Sequence, residues 1–170
     1  MRDRFSLVPG TRVLHLSPEY GIERRLGRMG LEYVTGDAEP GAMVLLDLAA
    51  LPFADERFDV AICNHVLPSV ADDDLALREL RRVLVPQGRL LTQNPIDYTA
   101  ETSYEGPDTV EGARRRFGRD FRDKLEGAGF ETEAFSLKEL ADKPTMVRHG
   151  LIEYTPKGKR GNDIYVCTRR

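Results

Sequence analysis

Two periodicities of apolar residues divide the chain into predicted strands and helices. Short, nearly continuous apolar runs bounded by turn residues predict strands, and apolar residues at helical spacing predict helices. The predicted strands are 12–16, 32–37, 43–48, 57–64, 89–94, 130–137 and 163–169, and the predicted helices are 22–29, 72–84 and 119–130. Because strands and helices alternate, the sequence predicts a single α/β domain over residues 1–170.

Two connections depart from this alternation. Residues 38–42, AEPGA, join predicted strands two and three and are too short for the helical crossover that parallel neighbours normally need. Residues 95–118 form a long polar segment rich in Gly, Pro, Thr, Ser and Glu, with a short helix predicted at Val110 to Arg116. A connection of this length usually has a functional role, so we interpret residues 95–118 as a lid or substrate segment.

The composition argues against several classes of function. Hydrophobic residues make up 41% of the chain and charged residues 31%, which is typical of a folded protein rather than a disordered one. The net charge of -3 argues against a nucleic-acid partner, because such proteins usually carry a basic face. No apolar stretch is long enough to span a membrane and no signal peptide is recognisable, so we expect a cytoplasmic location and no membrane partner.

The cysteines and histidines do not indicate a metal site. Cys63 and Cys167 both lie in predicted strands, where we expect reduced thiols. Neither cysteine has a partner at metal-ligand spacing, and His15, His65 and His149 are scattered along the chain. No bound metal is therefore expected.

The stretch from Asp47 to Leu91 contains an ordered set of short motifs. An acidic residue follows predicted strand three, and then come LPF, the pair FD opening strand four, and a helix that ends in RVL before a Pro-Gly turn. This order and spacing resemble the central segment of class I S-adenosylmethionine-dependent methyltransferases with a type 11-like domain. VLHLSPE, GDAEP and the tail HGLIEYTPKGKRGNDIYVC resemble a branch in which a His-containing Pro-Glu loop replaces the glycine-rich first motif.

The resemblance implies a Rossmann-like methyltransferase sheet, mostly parallel with an antiparallel last strand. The fold would be trimmed, with a short N-terminus and no full helix between strands two and three. A ligand is expected outside the carboxyl ends of strands one and four, where the strand order reverses. The implied cofactor is S-adenosylmethionine, with S-adenosylhomocysteine as its product.

The resemblance also implies which residues contact the cofactor. Asp37 would accept hydrogen bonds from both ribose hydroxyls, and Asp47 would accept the adenine amine with Leu48 beside the ring. Glu19 either receives the cofactor's ammonium group or merely caps the following helix. Asn64 follows strand four, where the cofactor sulfur and the substrate should meet. The complete implied set is His15, Leu16, Ser17, Pro18, Glu19, Asp37, Asp47, Leu48, Asn64 and His65.

Two residues are candidates for catalysis. His65 is a candidate general base because imidazole titrates near neutrality, and a structural histidine is an equally good interpretation. Tyr98 would lie over the site if residues 95–118 form a lid. Family members often carry Glu-His where this chain has Pro68-Ser69, which weakens the argument for acid-base chemistry.

The predicted function is methyl transfer from S-adenosylmethionine to a small-molecule acceptor, achieved mainly by positioning. The alternative is a catalytically degenerate methyltransferase fold that acts as a cofactor-binding or protein-interaction module. The run of arginines at 114, 115, 116, 119 and 122 is either a solvated helix face or a surface that attracts an anionic substrate. The site is expected to be open, and to be closed by residues 95–118, by a second subunit of a homodimer or by a partner protein.

Overall fold

The structure is a computed structural model and describes residues 7–105, 114–136, 160–161 and 163–170. None of the helices in these ranges is long and apolar enough to cross a lipid bilayer. In chain order the elements are β1 (Arg12–Leu16), α1 (Tyr20–Leu26), β2 (Glu32–Asp37), β3 (Val44–Leu45), β4 (Phe58–Cys63), a 3-10 turn (Leu67–Ser69), α2 (Asp73–Val83), β5 (Leu84–Gln93), β6 (Ile96–Asp97), β7 (Tyr104–Glu105), β8 (Arg115–Arg116), α3 (Phe121–Gly127), β9 (Phe130–Phe135), β10 (Arg160–Gly161) and β11 (Ile164–Arg169).

Seven strands form the central sheet in the order β3-β2-β1-β4-β5-β11-β9. β1 pairs in parallel with β2 and β4, β2 pairs in parallel with β3, and β4 pairs in parallel with β5. β11 runs antiparallel to both β5 and β9. The predicted mostly parallel sheet with an antiparallel last strand is therefore confirmed. The strand order reverses between β1 and β4, so the chain leaves these two neighbours in opposite directions.

The connection between β2 and β3 contains no helix. β3 pairs only with the carboxyl end of β2, where Gly36 lies opposite Val44 and Asp37 lies opposite Leu45. Residues 38–43 can therefore lead directly into β3. They do not have to run back to the amino-terminal end of β2, as a full crossover connection must. The prediction that no full helix separates these strands is confirmed, and they nevertheless run parallel.

Apolar side chains pack on both faces of the sheet. On one face α2 and α3 cover the larger cluster, to which α3 contributes the fully buried Phe121 and Leu125. On the other face Leu26 of α1 packs with Val13, Val60 and Ile62. Every apolar residue of the stripe predicted within α2 is buried, namely Ala76, Leu77, Leu80 and Val83.

The largest differences from the predicted boundaries lie at the junction of α2 with β5 and at β3. α2 ends at Val83 rather than at the Pro-Gln-Gly turn, because Leu84 is extended and pairs with Phe58 of β4. The pairing then skips from Leu84 to Arg89, so residues 85–88 form an irregularity within β5. The strand predicted over residues 43–48 is reduced to β3, because the side chain of the next acidic residue, Asp47, turns the chain.

The helix predicted at Val110 to Arg116 is wrong in its described part. Arg115 and Arg116 form β8, which pairs antiparallel with β7. The Arg115 guanidinium forms an ion pair with the buried Asp73 side chain, and the neighbouring Phe117 is fully buried, so tertiary contacts hold this segment extended. Residues 106–113 and most of the tail 149–162 that entered the resemblance lie outside the described residues.

We expect Leu80→Ala to lower the free energy of unfolding by about 2–5 kcal/mol, because truncation leaves a cavity between α2 and the sheet. Leu75→Ala on the same helix is the matched control, since Leu75 is 37% exposed whereas Leu80 is fully buried. The control should lose less than about 1 kcal/mol. Urea unfolding of both variants measures the difference, and equal losses would contradict the assignment of the buried helix face.

Candidate active site

A cleft of about 920 Å³ opens at the carboxyl ends of β1, β2 and β3 and extends past the end of β4. This is the position at which the strand order reverses, where open α/β sheets bind their ligands. Its lining combines apolar and acidic side chains near β3 with polar side chains near β4. Six of its lining residues belong to the predicted cofactor set, namely Leu16, Ser17, Asp37, Asp47, Leu48 and His65.

The two strands that flank the reversal are each followed by a residue in the left-handed region. Ser17 after β1 has a φ of 47°, and His65 after β4 has a φ of 58°. This conformation costs roughly 1–2 kcal/mol for a residue with a side chain. Ser17 N–H donates to Gly36 O at 2.8 Å, and His65 N–H donates to Gln93 O at 2.8 Å. Each turn is thus tied to the outer neighbour of its strand, and the two loops diverge around the cleft.

Asp37, at the end of β2, is oriented by two hydrogen bonds. Ser17 Oγ donates to Asp37 Oδ2 at 2.9 Å, and the Glu39 N–H donates to Asp37 Oδ1 at 3.2 Å. A carboxylate oxygen can accept more than one hydrogen bond, so each oxygen retains capacity for a further donor. This arrangement suits a ligand that presents two neighbouring hydroxyl groups.

Asp47 lines the same cleft from the loop after β3. Its Oδ1 accepts a hydrogen bond from the Ala49 N–H at 2.9 Å, which leaves Oδ2 for another donor. The Leu46 N–H donates to Asp37 O at 2.8 Å and ties the two acidic turns together. The structure therefore brings the two predicted carboxylates to one cleft, beside the buried Leu48. Their roles in binding remain predictions.

Two residues of α2 hold the loop behind Asp47, and the sequence analysis missed both. Arg82 donates to Leu51 O at 3.0 Å and to Phe53 O at 2.8 Å, and Glu79 accepts from the Leu51 N–H at 2.9 Å. Glu79 and Arg82 also pair with each other at 2.7 Å. The guanidinium lowers the pKa of the Glu79 carboxyl, which therefore stays ionised. Their spacing of three along one helix was the available signal.

Glu19 precedes α1, but its side chain makes no capping hydrogen bond to that helix. Glu19 is the N-cap residue of α1 by position, but the expected cap by its side chain is not formed. His15 Nε2 lies 2.9 Å from Glu19 Oε2, and Asn64 Nδ2 donates to Glu19 Oε1 at 3.2 Å. The Glu19 side chain remains 41% exposed, so a ligand can reach the carboxylate.

His15 is fully buried in β1 and contacts two polar side chains. Besides Glu19, its Nδ1 lies 2.7 Å from the Tyr33 hydroxyl of β2. Burial lowers the pKa of His15, and the neighbouring Glu19 partly offsets this effect. Burial likewise raises the pKa of Tyr33 to about 12, so the hydroxyl stays protonated. Tyr33 was not predicted as a site residue, because it belongs to no motif within predicted strand two.

The structure separates the predicted site residues into two groups. His15, Pro18, Glu19 and Asn64 do not line the cleft, whereas the other six predicted cofactor residues do. Tyr98 is not among the lining residues either. Its hydroxyl forms a hydrogen bond to Asp163 and its ring packs against the main core, so the structure does not bring Tyr98 to His65.

The arginines near β8 are mostly paired within the chain. Arg114 lines the cleft, and its backbone N–H donates to Pro68 O at 2.9 Å. This contact brings one end of segment 95–118 to the cleft. Three of the other arginines form ion pairs: Arg115 with Asp73, Arg119 with Glu101, and Arg122 with Glu126. The structure therefore does not show a surface on which all of these arginines are available to attract an anion.

Residues 22–92 match a family model described as Methyltransferase domain. This region includes the acidic loops, the LPF motif and α2, and the sheet has the strand order described above. The predicted resemblance to class I methyltransferases is confirmed. The match covers the part of the domain that contains Asp37, Asp47 and His65.

A curated relative matches the same region. The chain is 34% identical over 100 residues to a demethylmenaquinone methyltransferase of Corynebacterium efficiens, covering 52% of this chain and 44% of the relative. The chain thus spans less than half the length of this methyltransferase.

Solved structures share the methyltransferase fold over nearly the whole chain. The structure of SpnF, described as a [4+2]-cyclase, has a TM-score of 0.71 at 20% identity and covers 98% of this chain and 78% of SpnF. An S-adenosylmethionine-dependent methyltransferase from Mesorhizobium loti has a TM-score of 0.69 at 18% identity and covers 99% of this chain and 95% of that one. At these identities the likeness shows the fold alone.

His15 should make stability depend on pH. Its pKa lies below the ordinary 6.5, so the unfolded chain takes up a proton before the folded chain does as the pH falls. The stabilisation is complete above about pH 6.5 and is lost as the pH falls towards the folded pKa. We expect the free energy of unfolding to fall more steeply with decreasing pH in the wild type than in His15→Gln. Urea unfolding of both proteins at a series of pH values below and above 6.5 measures this difference. The same pH dependence in both proteins would contradict the role of His15.

Proposed function

We propose that this domain binds S-adenosylmethionine at the reversal of strand order and transfers the methyl group to a small-molecule acceptor. One observation carries the proposal: Asp37 at the end of β2 and Asp47 after the neighbouring β3 line one cleft of about 920 Å³. A cleft of this size is in the range of small-molecule and cofactor sites.

The residues around the cleft fit the nucleoside half of the cofactor. Asp37 has acceptor capacity on both oxygens, as the two ribose hydroxyls require. Asp47 has Oδ2 available for the exocyclic amine of adenine, while Oδ1 is held by the Ala49 N–H. Leu16 and Leu48 supply apolar surface for the purine. The donor and acceptor pattern of these side chains therefore matches adenosine.

Acidic residues also suit the charged half of the cofactor. Glu19 is exposed enough to receive an ammonium group in a charge-assisted hydrogen bond. Asp37, Glu39 and Asp47 line the cleft and favour a ligand with positive charge. When bound, S-adenosylmethionine supplies a methyl group activated by a positively charged sulfur.

The chain contributes mainly by orienting the reactants and excluding water. His65 lines the cleft and is exposed, so in this proposal it takes the proton from an acceptor hydroxyl. An amine or carbon acceptor needs positioning alone. Residues 95–118, which reach the cleft at Arg114, would cover the bound acceptor. A catalytic role for Tyr98 and closure by a second subunit or partner protein stay predictions.

The matching relative favours a small-molecule acceptor. It is named a demethylmenaquinone methyltransferase, which makes a demethylated quinone the first acceptor to test. SpnF has the same fold and is described as a [4+2]-cyclase, so the fold by itself does not determine the reaction.

If the proposed reaction is correct, S-adenosylhomocysteine should form from S-adenosylmethionine when a demethylated quinone is supplied as the acceptor. Mass spectrometry measures this product.

We expect Asp37→Asn and Asp47→Asn each to weaken S-adenosylmethionine binding by about tenfold to a hundredfold. Each substitution replaces one carboxylate oxygen, which accepts hydrogen bonds, with an NH2 group, which donates them. At position 47 the Ala49 N–H would still bond to the amide oxygen, so the NH2 group would face the adenine amine. Isothermal titration calorimetry measures the affinity. Glu131→Gln on the exposed face of β9 is the control and should bind as the wild type does.

Three results would count against this proposal. A wild-type protein that gives neither heat nor a thermal shift with S-adenosylmethionine or S-adenosylhomocysteine would overturn it and favour an interaction module. Unchanged affinity in both Asp variants would overturn the assignment of the cleft. Cofactor binding without transfer to any acceptor would leave a cofactor-binding protein and overturn the enzyme.

A further inference from the structure

We propose that Tyr33 and His15 are positioning residues that hold the Glu19 carboxylate ready for the ammonium group of the cofactor. This inference rests on the proposed function and adds to it a specific line of hydrogen bonds behind Glu19. Tyr33 of β2, His15 of β1, Glu19 before α1 and Asn64 after β4 form that line, which we call the Glu19 relay.

The chemistry of the Glu19 relay selects one tautomer of His15. An ionised carboxylate only accepts hydrogen bonds, so Nε2 must carry the proton in the 2.9 Å contact with Glu19 Oε2. Nδ1 is then an acceptor, and the Tyr33 hydroxyl donates to it at 2.7 Å. The opposite tautomer would place the lone pair of Nε2 against the lone pairs of the carboxylate. Glu19 therefore selects the tautomer, and the Tyr33 hydroxyl stabilises it by donating to Nδ1.

The relay leaves the charge of Glu19 uncompensated by its hydrogen-bond partners. Neutral His15 and the Asn64 amide both donate to the carboxylate, and neither carries positive charge. Burial lowers the pKa of His15, which keeps the ring neutral at neutral pH. The carboxylate is therefore oriented by two neutral donors while 41% of the side chain remains exposed. This arrangement suits a ligand cation, because a fixed carboxylate pays no reorganisation when the cation binds.

The Glu19 relay lies where the resembled family has a glycine-rich first motif. The loop after β1 contains Ser17, Pro18 and Glu19, and Ser17 alone adopts a positive φ there. Backbone amides cannot be presented as freely by this loop as by a glycine-rich turn. Side chains from β1, β2 and the end of β4 instead fix the polar group that meets the ligand.

Tyr33→Phe tests the relay, because it removes the hydroxyl and retains the ring. We expect the affinity for S-adenosylmethionine to fall by about threefold to tenfold. Affinity for 5′-methylthioadenosine should not change, since this ligand has the nucleoside and sulfur but no ammonium group. A merely structural role of Tyr33 would weaken both ligands alike. Asn64→Ala removes the other donor on Glu19 and should show the same selective loss.

The matched control is Tyr165→Phe. Tyr165 is a buried tyrosine of β11, and burial raises its pKa to about 12, as for Tyr33. Tyr165→Phe measures the general cost of losing a buried tyrosine hydroxyl. The affinities for S-adenosylmethionine and 5′-methylthioadenosine should both stay unchanged in this variant. Thermal unfolding of each variant verifies that the fold is retained.

A second measurement reports the relay without any cofactor. Nitrogen-15 NMR of histidine-labelled protein should show His15 protonated at Nε2 and unprotonated at Nδ1, with its signals assigned by their loss in His15→Gln. Tyr33→Phe should change the chemical shift of Nδ1, because the hydrogen bond that the Tyr33 hydroxyl donates to it is lost.

The two proposals fail differently. A wild-type protein that binds no S-adenosylmethionine overturns the proposed function, whatever the His15 tautomer. A wild type that binds it, together with a Tyr33→Phe variant that binds both ligands as the wild type does or weakens both equally, overturns the positioning role alone. A wild-type His15 protonated at Nδ1 overturns the relay.

Discussion

The reversal of strand order between β1 and β4 is the constraint on which the site depends. β1 pairs in parallel with β2 on one side and with β4 on the other, so the loops that follow β1 and β4 leave the sheet in opposite directions. Ser17 and His65 make these departures in the left-handed conformation, and each is tied by its backbone to the outer neighbouring strand. The space between the diverging loops is the cleft, and Ser17, Asp37, Asp47 and His65 line it for this reason.

Hydrogen bonds between side chains determine how the acidic residues are presented. Ser17 orients Asp37, while His15 and Asn64 orient Glu19, and each of these donors is neutral. Neutral donors fix the direction of a carboxylate without cancelling its charge, so the site retains its attraction for a cation. In contrast, acidic residues elsewhere, such as Asp73 beside Arg115, are neutralised by cations of the chain. This difference in partners distinguishes the carboxylates that we propose bind the cofactor from the one that anchors β8.

Helix α2 connects the stability of the core to the geometry of the cleft. Its apolar stripe is buried against the sheet, while Glu79 and Arg82 on another face bond to the backbone of residues 51 and 53. The loop that begins at Asp47 is thus held at its far end by a helix that the core already fixes. Arg115 extends this linkage, because its pairing with Asp73 anchors β8 to the start of α2. The segment that reaches the cleft at Arg114 depends on the same helix.

Local pattern was sufficient for the existence of the first five strands and of α2, and for Asp37 and Asp47 near the ends of β2 and β3, because each depends on apolar spacing or on a short motif. The ends of β3 and α2, the extended conformation of Arg115 and Arg116, and the cluster around Glu19 were not accessible in this way. Each depends on a partner far away in the chain, as when Tyr33 meets His15 because the register of β2 against β1 places both on one face. Residue types and spacing thus predicted the carboxylates, whereas the pairing of strands decided which of them are held by neutral donors, because those donors lie on other strands and loops.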